Sequence, residues 1–253
     1  MTIERVKIID SLGQEYELPK TFNVRSEPVS RKSELFDIAF SHGARDVSDG
    51  CFSPRIVEIS GRIWASSDSE FNTAWDALAA WLLKDDVKIK FRGRVINCKK
   101  ILSIDINHPS AVPYHFGEVS IQYLALDPFW YSYSAILKQF SISTSPYTFS
   151  FDVGGNVETY PLIIVENSTL NSSFSLKNIT DDNREFSVAD SGAVAGTKVY
   201  IDCKEGTVER DESTNLISVF SGLFLRLLGG RENQFEYSGA ACTLKFQYRE
   251  AYL

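Results

Sequence analysis

The sequence lacks the features that several protein classes require. No segment approaches the roughly 18 consecutive apolar residues of a membrane-spanning helix. The start, Met1 to Lys7, alternates like a strand and has no apolar core of a signal peptide, so we expect folding in a cytoplasm. With 43% hydrophobic and 23% charged residues, the chain is neither disordered nor a coiled coil. The net charge of −7 argues against a protein that grips phosphate backbones.

Cysteine and histidine are scarce. Cys51, Cys98, Cys203 and Cys242 form no C-x-x-C pair, and no histidine stands at zinc-finger spacing. Because cytosolic chains rarely carry disulfides, we predict free thiols, mostly in the core.

No catalytic motif is present. The sequence contains no G-x-S-x-G, P-loop or G-x-G-x-x-G pattern, and its histidines are only His42, His108 and His115. The densest acidic group, Glu205 to Glu212, flanks a predicted turn and is read as solvated. We therefore predict a protein that is not an enzyme and that has no metal or cofactor.

The first half is predicted to be strands with a single good helix. Arg55 to Trp64 and Val119 to Ala125 alternate with a period of two, and Arg92-Gly93 joins two strands as a hairpin turn. Ser67-x-x-Glu70 is a capping box that starts a helix ending near Leu83. Its apolar stripe is Phe71, Ala74, Trp75, Leu78 and Leu82, and it must lie on a sheet.

The second half is predicted to be all-β. Turn signals recur every 10 to 20 residues, a spacing typical of a β-sandwich. We predict a mainly β protein in two domains, with residues 1–134 as an α+β domain, 135–146 as a linker and 147–253 as the sandwich. Residues 26–54 form an extended arm of the first domain, because such a long polar stretch is uncommon inside a compact domain unless it is functional or disordered.

Several segments, in order along nearly the whole chain, resemble the distal tail proteins of long-tailed, non-contractile phages, the Dit family. They are Arg55-x-x-Glu58-Ile59-x-Gly61, the helix, the exit Asp127-Pro128-Phe129, Gly154-Gly155-Asn156 with Tyr160-Pro161, and Asp202-Cys203-x-x-Gly206. The resemblance implies a ring, usually hexameric, at the distal end of the virion's tail. It also implies a galectin-like or carbohydrate-module-like second domain.

The same resemblance implies the partners. They are other copies of this chain, the tail tube, the tail tip or tail-associated protein and the tape measure protein, with DNA only as cargo in the central channel. It implies no membrane insertion, and assembly in the host cytoplasm. The chain is too short to hold a large inserted sugar-binding module, which counts against receptor binding.

Two candidate surfaces follow from the residues. A ring subunit must present two different faces, and the first half offers apolar residues beyond the needs of one sheet. The candidate interface residues are Leu35, Phe36, Phe40, Trp81, Leu83, Phe129, Trp130 and Tyr131. The alternative hypothesis is a carbohydrate-binding module that contacts the host cell wall, with Tyr147, Tyr160 and Tyr237 as the sugar platform. For Trp81 and Leu83, a deeper groove within the same domain is the competing interpretation.

Overall fold

The computed structural model describes residues 5–32, 35–37, 44–46, 51–107, 116–168 and 173–253. The chain divides into two compact units. The first unit is Met1–Tyr133 together with Leu253, and the second is Ser134–Tyr252. Among the described residues, no helix is long and apolar enough to cross a membrane.

The first unit contains two sheets and a helix, α1 (Asp68–Leu82). Its strands are β1 Lys7–Ile9, β2 Glu15–Glu17, β3 Asn23–Ser26, β4 Leu35–Asp37, β5 Ala44–Asp46, β6 Arg55–Trp64, β7 Val87–Phe91, β8 Arg94–Cys98, β9 Lys100–Asn107, β10 Phe116–Ala125 and β11 Trp130–Ser132. One sheet has the order β2-β1-β7-β8-β11, and the other has the order β3-β6-β10-β9. The β4–β5 pair stands apart from both sheets.

The second sheet of this unit is organised by the long pair β6 and β10. Their antiparallel register runs from Phe116 opposite Trp64 to Ala125 opposite Arg55. Because side chains alternate along a strand, one face of this pair is buried, with Val57, Ile59 and Ile121 at 1% exposure or less. The alternation predicted from sequence is therefore confirmed.

Turn chemistry fixes the hairpins of the first sheet. Arg92 and Gly93 both have positive φ angles, 51° and 72°, which a tight two-residue hairpin of the primed type requires. Strands β7 and β8 flank this turn as predicted. Strands β1 and β2 form a second hairpin, with the Asp10 and Gln14 backbones paired across the turn.

Helix α1 starts at the predicted cap. The hydroxyl of Ser67 accepts a hydrogen bond from the Glu70 backbone N–H at 3.3 Å, and the Glu70 carboxylate accepts one from the Ser66 backbone N–H at 3.1 Å. Phe71, Leu78 and Leu82 are buried, Trp75 is half-buried and Ala74 is exposed, so the buried stripe is narrower than the sequence pattern. The buried Tyr123 hydroxyl donates to the carbonyl of Leu82 at 2.7 Å and so satisfies the end of the helix.

The second unit is a β-sandwich. Its strands are β12 Ile136–Ile142, β13 Tyr147–Val153, β14 Leu162–Asn167, β15 Phe174–Asn178, β16 Arg184–Val188, β17 Lys198–Asp202, β18 Thr207–Arg210, β19 Thr214–Asn215, β20 Phe220–Gly222, β21 Arg231–Ser238, β22 Cys242–Tyr248 and β23 Ala251–Tyr252, with a 3-10 turn at Ile217–Val219. The two sheets have the orders β12-β22-β14-β17-β18-β19 and β13-β21-β15-β16-β20. Both sheets contribute to one core, in which Phe151, Phe235 and Phe246 lie within 5.2 Å of one another by ring centroids. The predicted mainly β fold class is confirmed.

The predicted linker 135–146 is wrong for most of its length. Residues Ile136–Ile142 form β12, which pairs with β22 from Ile136 opposite Tyr248 to Ile142 opposite Cys242. Its Phe140 ring lies 4.3 Å from Phe149, centroid to centroid. The serine- and threonine-rich composition after Phe140 concealed an edge strand whose inward face carries the apolar residues Ile136, Phe140 and Ile142.

None of the four cysteines, all of which lie in the described part of the chain, forms a disulfide, as predicted. Cys98, Cys203 and Cys242 are buried, whereas Cys51 is exposed. Burial raises the pKa of the Cys98 and Cys203 thiols to about 12, so both remain protonated at neutral pH. They act as small apolar core residues.

Candidate functional site

In the described part of the arm predicted at residues 26–54, the two ends run antiparallel and continue the pairing of β3 with β6. Backbone hydrogen bonds join Glu27 N–H to the carbonyl of Ile56, Ser53 N–H to Ser30 and Lys32 N–H to Cys51. Farther out, Leu35 to Asp37 pair with Ala44 to Asp46. Of the predicted interface residues, Leu35 and Phe36 lie in this arm, and Phe40 lies outside the described residues.

The base of the arm contacts the aromatic exit of the first unit. The rings of Phe52 and Phe129 meet edge to face, with centroids 5.2 Å apart. On the arm's other strand, the guanidinium carbon of Arg31 lies 5.6 Å from the centre of the Phe52 ring. The fold therefore brings together two of the segments that the sequence placed at the interface, and it anchors the arm at its root.

The three predicted interface residues of the exit, Phe129, Trp130 and Tyr131, differ in how accessible they are to a neighbouring subunit. Tyr131 is half-buried, and its hydroxyl donates to Oδ2 of Asp127 at 2.7 Å. Phe129 is also half-buried. Trp130 is only 8% exposed, so the prediction that it lies at a subunit interface is not supported by its accessibility. The alternation of β11 turns Trp130 inward and Tyr131 outward.

The end of helix α1 separates the other two predicted residues. Trp81 stacks on Tyr16, with 5.5 Å between ring centroids and 10° between planes. The ammonium of Lys84 lies 3.6 Å from the centre of the Trp81 ring and 3.0 Å from Oδ2 of Asp10. Trp81 thus packs against the β1–β2 hairpin of its own unit, as the competing interpretation held, whereas Leu83 is 59% exposed.

The three tyrosines of the carbohydrate hypothesis do not form a platform. Tyr237 is completely buried, because Asn233, Phe235 and Tyr237 alternate on the inner face of β21. Its hydroxyl donates to the carbonyl of Ala240 at 3.1 Å. Tyr147 is half-buried on β13, whereas Tyr160 is 40% exposed and precedes β14 in the other sheet. The prediction for Tyr237 is therefore wrong.

Sequence reasoning missed three features of the first unit. The first is that Leu102 and Ile104, on the edge strand β9, are 45% and 38% exposed. Trp64 is 64% exposed, with its ring 4.5 Å from that of Phe116. The third feature is Arg55, which takes an inward position in the alternation of β6. The period of two that defines β6 was sufficient to place Arg55 on the buried face.

The outward face of the β3-β6-β10-β9 sheet forms an open groove of about 590 Å³. Its lining includes Asn23, Arg62, Asp105 and Glu118, and Arg62 Nε donates to Glu118 Oε1 at 2.8 Å. Among the residues that the structure describes, no group of three or more His, Cys, Asp or Glu side chains could hold a metal ion. The histidines His42, His108 and His115 lie outside those residues.

Residues 154–252 match the family model of the siphovirus-type tail component, C-terminal domain. No curated protein sequence matches the chain. The crystal structure of the Dit protein of SPP1, described as a paradigm of the hub adsorption apparatus in phages infecting Gram-positive bacteria, is 14% identical. It aligns over 99% of this chain and 100% of that chain, with a TM-score of 0.74.

Two structures of the phage P2 baseplate in its activated conformation, with Ca and with Sr, also align with this chain, at lower TM-scores. Their chains are 10% and 9% identical, with 97% of each chain covered and TM-scores of 0.46 and 0.47. The family match in the second unit and the fold shared with SPP1 Dit confirm the resemblance to siphophage distal tail proteins that the sequence indicated.

Proposed function

We propose that this chain is a structural protein of a siphophage tail, and that copies of it form a hexameric ring that joins the tail tube to the tail tip. The observation that carries this proposal is the match of residues 154–252 to the siphovirus tail component domain. The fold of the whole chain, shared with the hub protein of SPP1, is consistent with it.

The first unit has the parts that a ring contact requires. A heterologous contact repeated by rotation closes into a ring, so each subunit must present one surface and receive another. The arm is a suitable donor, because its paired backbones lead to the β4–β5 pair, which belongs to neither of the two larger sheets of the unit. The contact between Phe52 and Phe129 fixes its root. We propose that the outer part of the arm lies on the adjacent subunit.

In this role the partners are the tail tube, the tip or tail-associated protein and the tape measure protein. DNA passes through the central channel as cargo. The protein works without catalysis or cofactor, is assembled in the host cytoplasm and resides at the distal end of the tail. The buried thiols and the ion pairs of the described residues serve the fold in this account.

The test is the oligomeric state of the purified chain, measured by light scattering and viewed by negative-stain microscopy. We expect rings with a central hole. A variant in which two glycines replace residues 33–50 should stay monomeric, because it lacks the outer part of the arm. It should still fold, because the paired backbones of Lys32 and Cys51 leave a gap that a tight turn can close. Its unfolding temperature should match that of the diluted wild-type subunit.

The control is Leu137→Ser, which removes an exposed apolar side chain of the second unit. It should form rings like the wild type. Wild-type protein that remains monomeric at high concentration would refute the ring. Rings formed by the shortened variant would show that the arm is not the contact.

A further inference from the structure

Arg55 is a buried cation that no carboxylate of the described residues pairs with. The residue is 5% exposed at the first position of β6, and its Nε atom has no hydrogen-bond partner. It lies on the same face as Val57 and Ile59, opposite Ala125 of β10. An arginine therefore occupies a position where the strand pattern requires an apolar residue.

The other buried charged residues of the described chain all have partners. Asp10 accepts from two backbone N–H groups and from Lys84. Asp181 forms a two-pronged pair with Arg226, and Asp190 accepts from Arg210 at 2.9 and 3.2 Å. Arg55 differs from this rule, which native proteins follow closely because an unpaired buried charge is costly.

The burial has a direct electrostatic consequence. Removal from water lowers the pKa of the Arg55 guanidinium, and no neighbouring charge opposes that shift. Within the described residues, no charge compensates this desolvation cost. A carboxylate brought to the guanidinium would offset it, because this pairing is planar, two-pronged and charge-assisted.

We propose that Arg55 receives a carboxylate from a second copy of this chain, so that the site is complete only in the assembly. The inference rests on the proposed ring. Arg55 directly follows Pro54 at the root of the arm, beside the pairing of Glu27 with Ile56. The arm segment 26–54 itself carries five acidic and three basic residues, so a neighbour's arm offers the required charge. A heterologous contact supplies one such arm to each Arg55.

The test is Arg55→Met in the full-length chain, with two measurements. In protein diluted until mass photometry shows single subunits, Arg55→Met should raise the unfolding temperature, because an apolar chain of similar length replaces an unpaired buried charge. In concentrated protein, the ring should dissociate at a concentration at least tenfold higher than for the wild type. A residue paired within its own chain, or one with a merely structural role, would not shift the two measurements in opposite directions.

Arg62→Met is the matched control, because Arg62 lies on the same strand but is exposed and paired with Glu118. It should leave the unfolding temperature nearly unchanged and the ring intact. A lower unfolding temperature for the diluted Arg55→Met subunit, or an unaltered ring, would overturn the assignment while leaving the ring itself standing. Absence of rings in the wild type would instead refute the proposed function, and the assignment with it.

The source of the carboxylate is tested on the arm. Changing Glu27, Glu34, Asp37, Asp46 and Asp49 to their amides should weaken the ring as much as Arg55→Met does. The combined variant should be no weaker than either alone, because both changes remove the same pair. Fully additive losses would show that Arg55 and the arm acids act separately. If Arg55→Met weakened the ring only after purified tube or tip protein was added, the carboxylate would belong to that partner. Either this result or fully additive losses would overturn the inference.

Discussion

Individual residues in this protein are placed by close, specific contacts. Gly61 of β6 lies against the ring of Phe22, so any side chain at this position would overlap that ring. Asp10 organises the β1–β2 turn by accepting from the backbones of Leu12 and Gln14, and it pairs with Lys84 beyond the helix. Phe22 and Lys84 are both distant in sequence from the residues they contact, whereas Leu12 and Gln14 are close to Asp10. Each contact therefore predicts a definite effect of substitution.

Gly61→Ala should destabilise the first unit by about 1–3 kcal/mol, because the added methyl group must displace a well-packed ring. Phe22 is 6% exposed and has little room to move. Chemical denaturation measures the change. In a Phe22→Ala background the same substitution should cost less than about 0.5 kcal/mol, since the overlap is gone. An equal cost in both backgrounds would mean that the ring is not the obstacle.

Asp10→Asn should lower stability at neutral pH and lose its effect in acid. The hydrogen bond from Lys84 is the main cause that lowers the pKa of Asp10 in the folded protein, and the N–H groups of Gln14 and Leu12 act in the same direction. Because the pKa of Asp10 is lower in the folded protein than in the unfolded chain, where it is about 3.9, the ionised carboxylate stabilises the fold above that pH. This contribution is lost as the pH falls through the pKa of the folded protein.

Thermal unfolding of wild type and variant between pH 7 and pH 2 checks this prediction. The gap between the two unfolding temperatures should shrink progressively as the pH falls below about 4. Asp76→Asn, on the exposed side of α1, is the control and should show no such convergence. A gap between Asp10→Asn and wild type that persists in acid would indicate lost packing rather than lost charge.

Elements of secondary structure begin and end where local chemistry permits. Helix α1 starts at a serine cap and ends where the Tyr123 hydroxyl satisfies a carbonyl of its last turn. Strand β12 is held at the sheet edge by the alternate apolar residues Ile136, Phe140 and Ile142. The signal for the helix start is contained within four residues, whereas β12 is held by partners about 100 residues away.

Ser67→Ala should destabilise the first unit by about 1 kcal/mol, because the N–H of Glu70 loses its side-chain acceptor. Ser69→Ala makes the same change two residues later, inside the helix and exposed to solvent. It should be neutral or slightly stabilising, because alanine is the better helix former. Urea unfolding distinguishes the two, and equal effects would exclude capping as the cause.

At the scale of the whole molecule, two units of similar size are joined in one chain. Each has its own buried core, and the family match falls within the second. The acidic excess is unequal, since residues 1–134 carry 16 basic and 18 acidic side chains and residues 135–253 carry 10 and 15. In the proposed ring, the first unit assembles and the second is peripheral.

The second unit should fold by itself only when β12 is included. A fragment of residues 134–253 should unfold cooperatively, whereas a fragment of residues 147–253 should bind hydrophobic dyes and unfold at a much lower temperature. Without β12, the buried Phe246 and Phe149 lose the ring of Phe140. Calorimetry on both fragments decides this. Equal stability of the two fragments would restore residues 135–146 to the role of a linker.

The sequence by itself determined what depends on local pattern and chemistry. The period of two in β6 and β10, the Arg92-Gly93 turn, the Ser67 cap and the free thiols were all legible from neighbouring residues. The tertiary structure decided which apolar residues are accessible. Trp81 stacks on Tyr16, Tyr237 is buried in the core of the sandwich, and Ile136–Ile142 pairs with β22. Each of these arrangements depends on residues far apart in the chain. Burial is a property of the packed molecule, so a single strand or helix cannot reveal whether an aromatic ring is free to bind a partner.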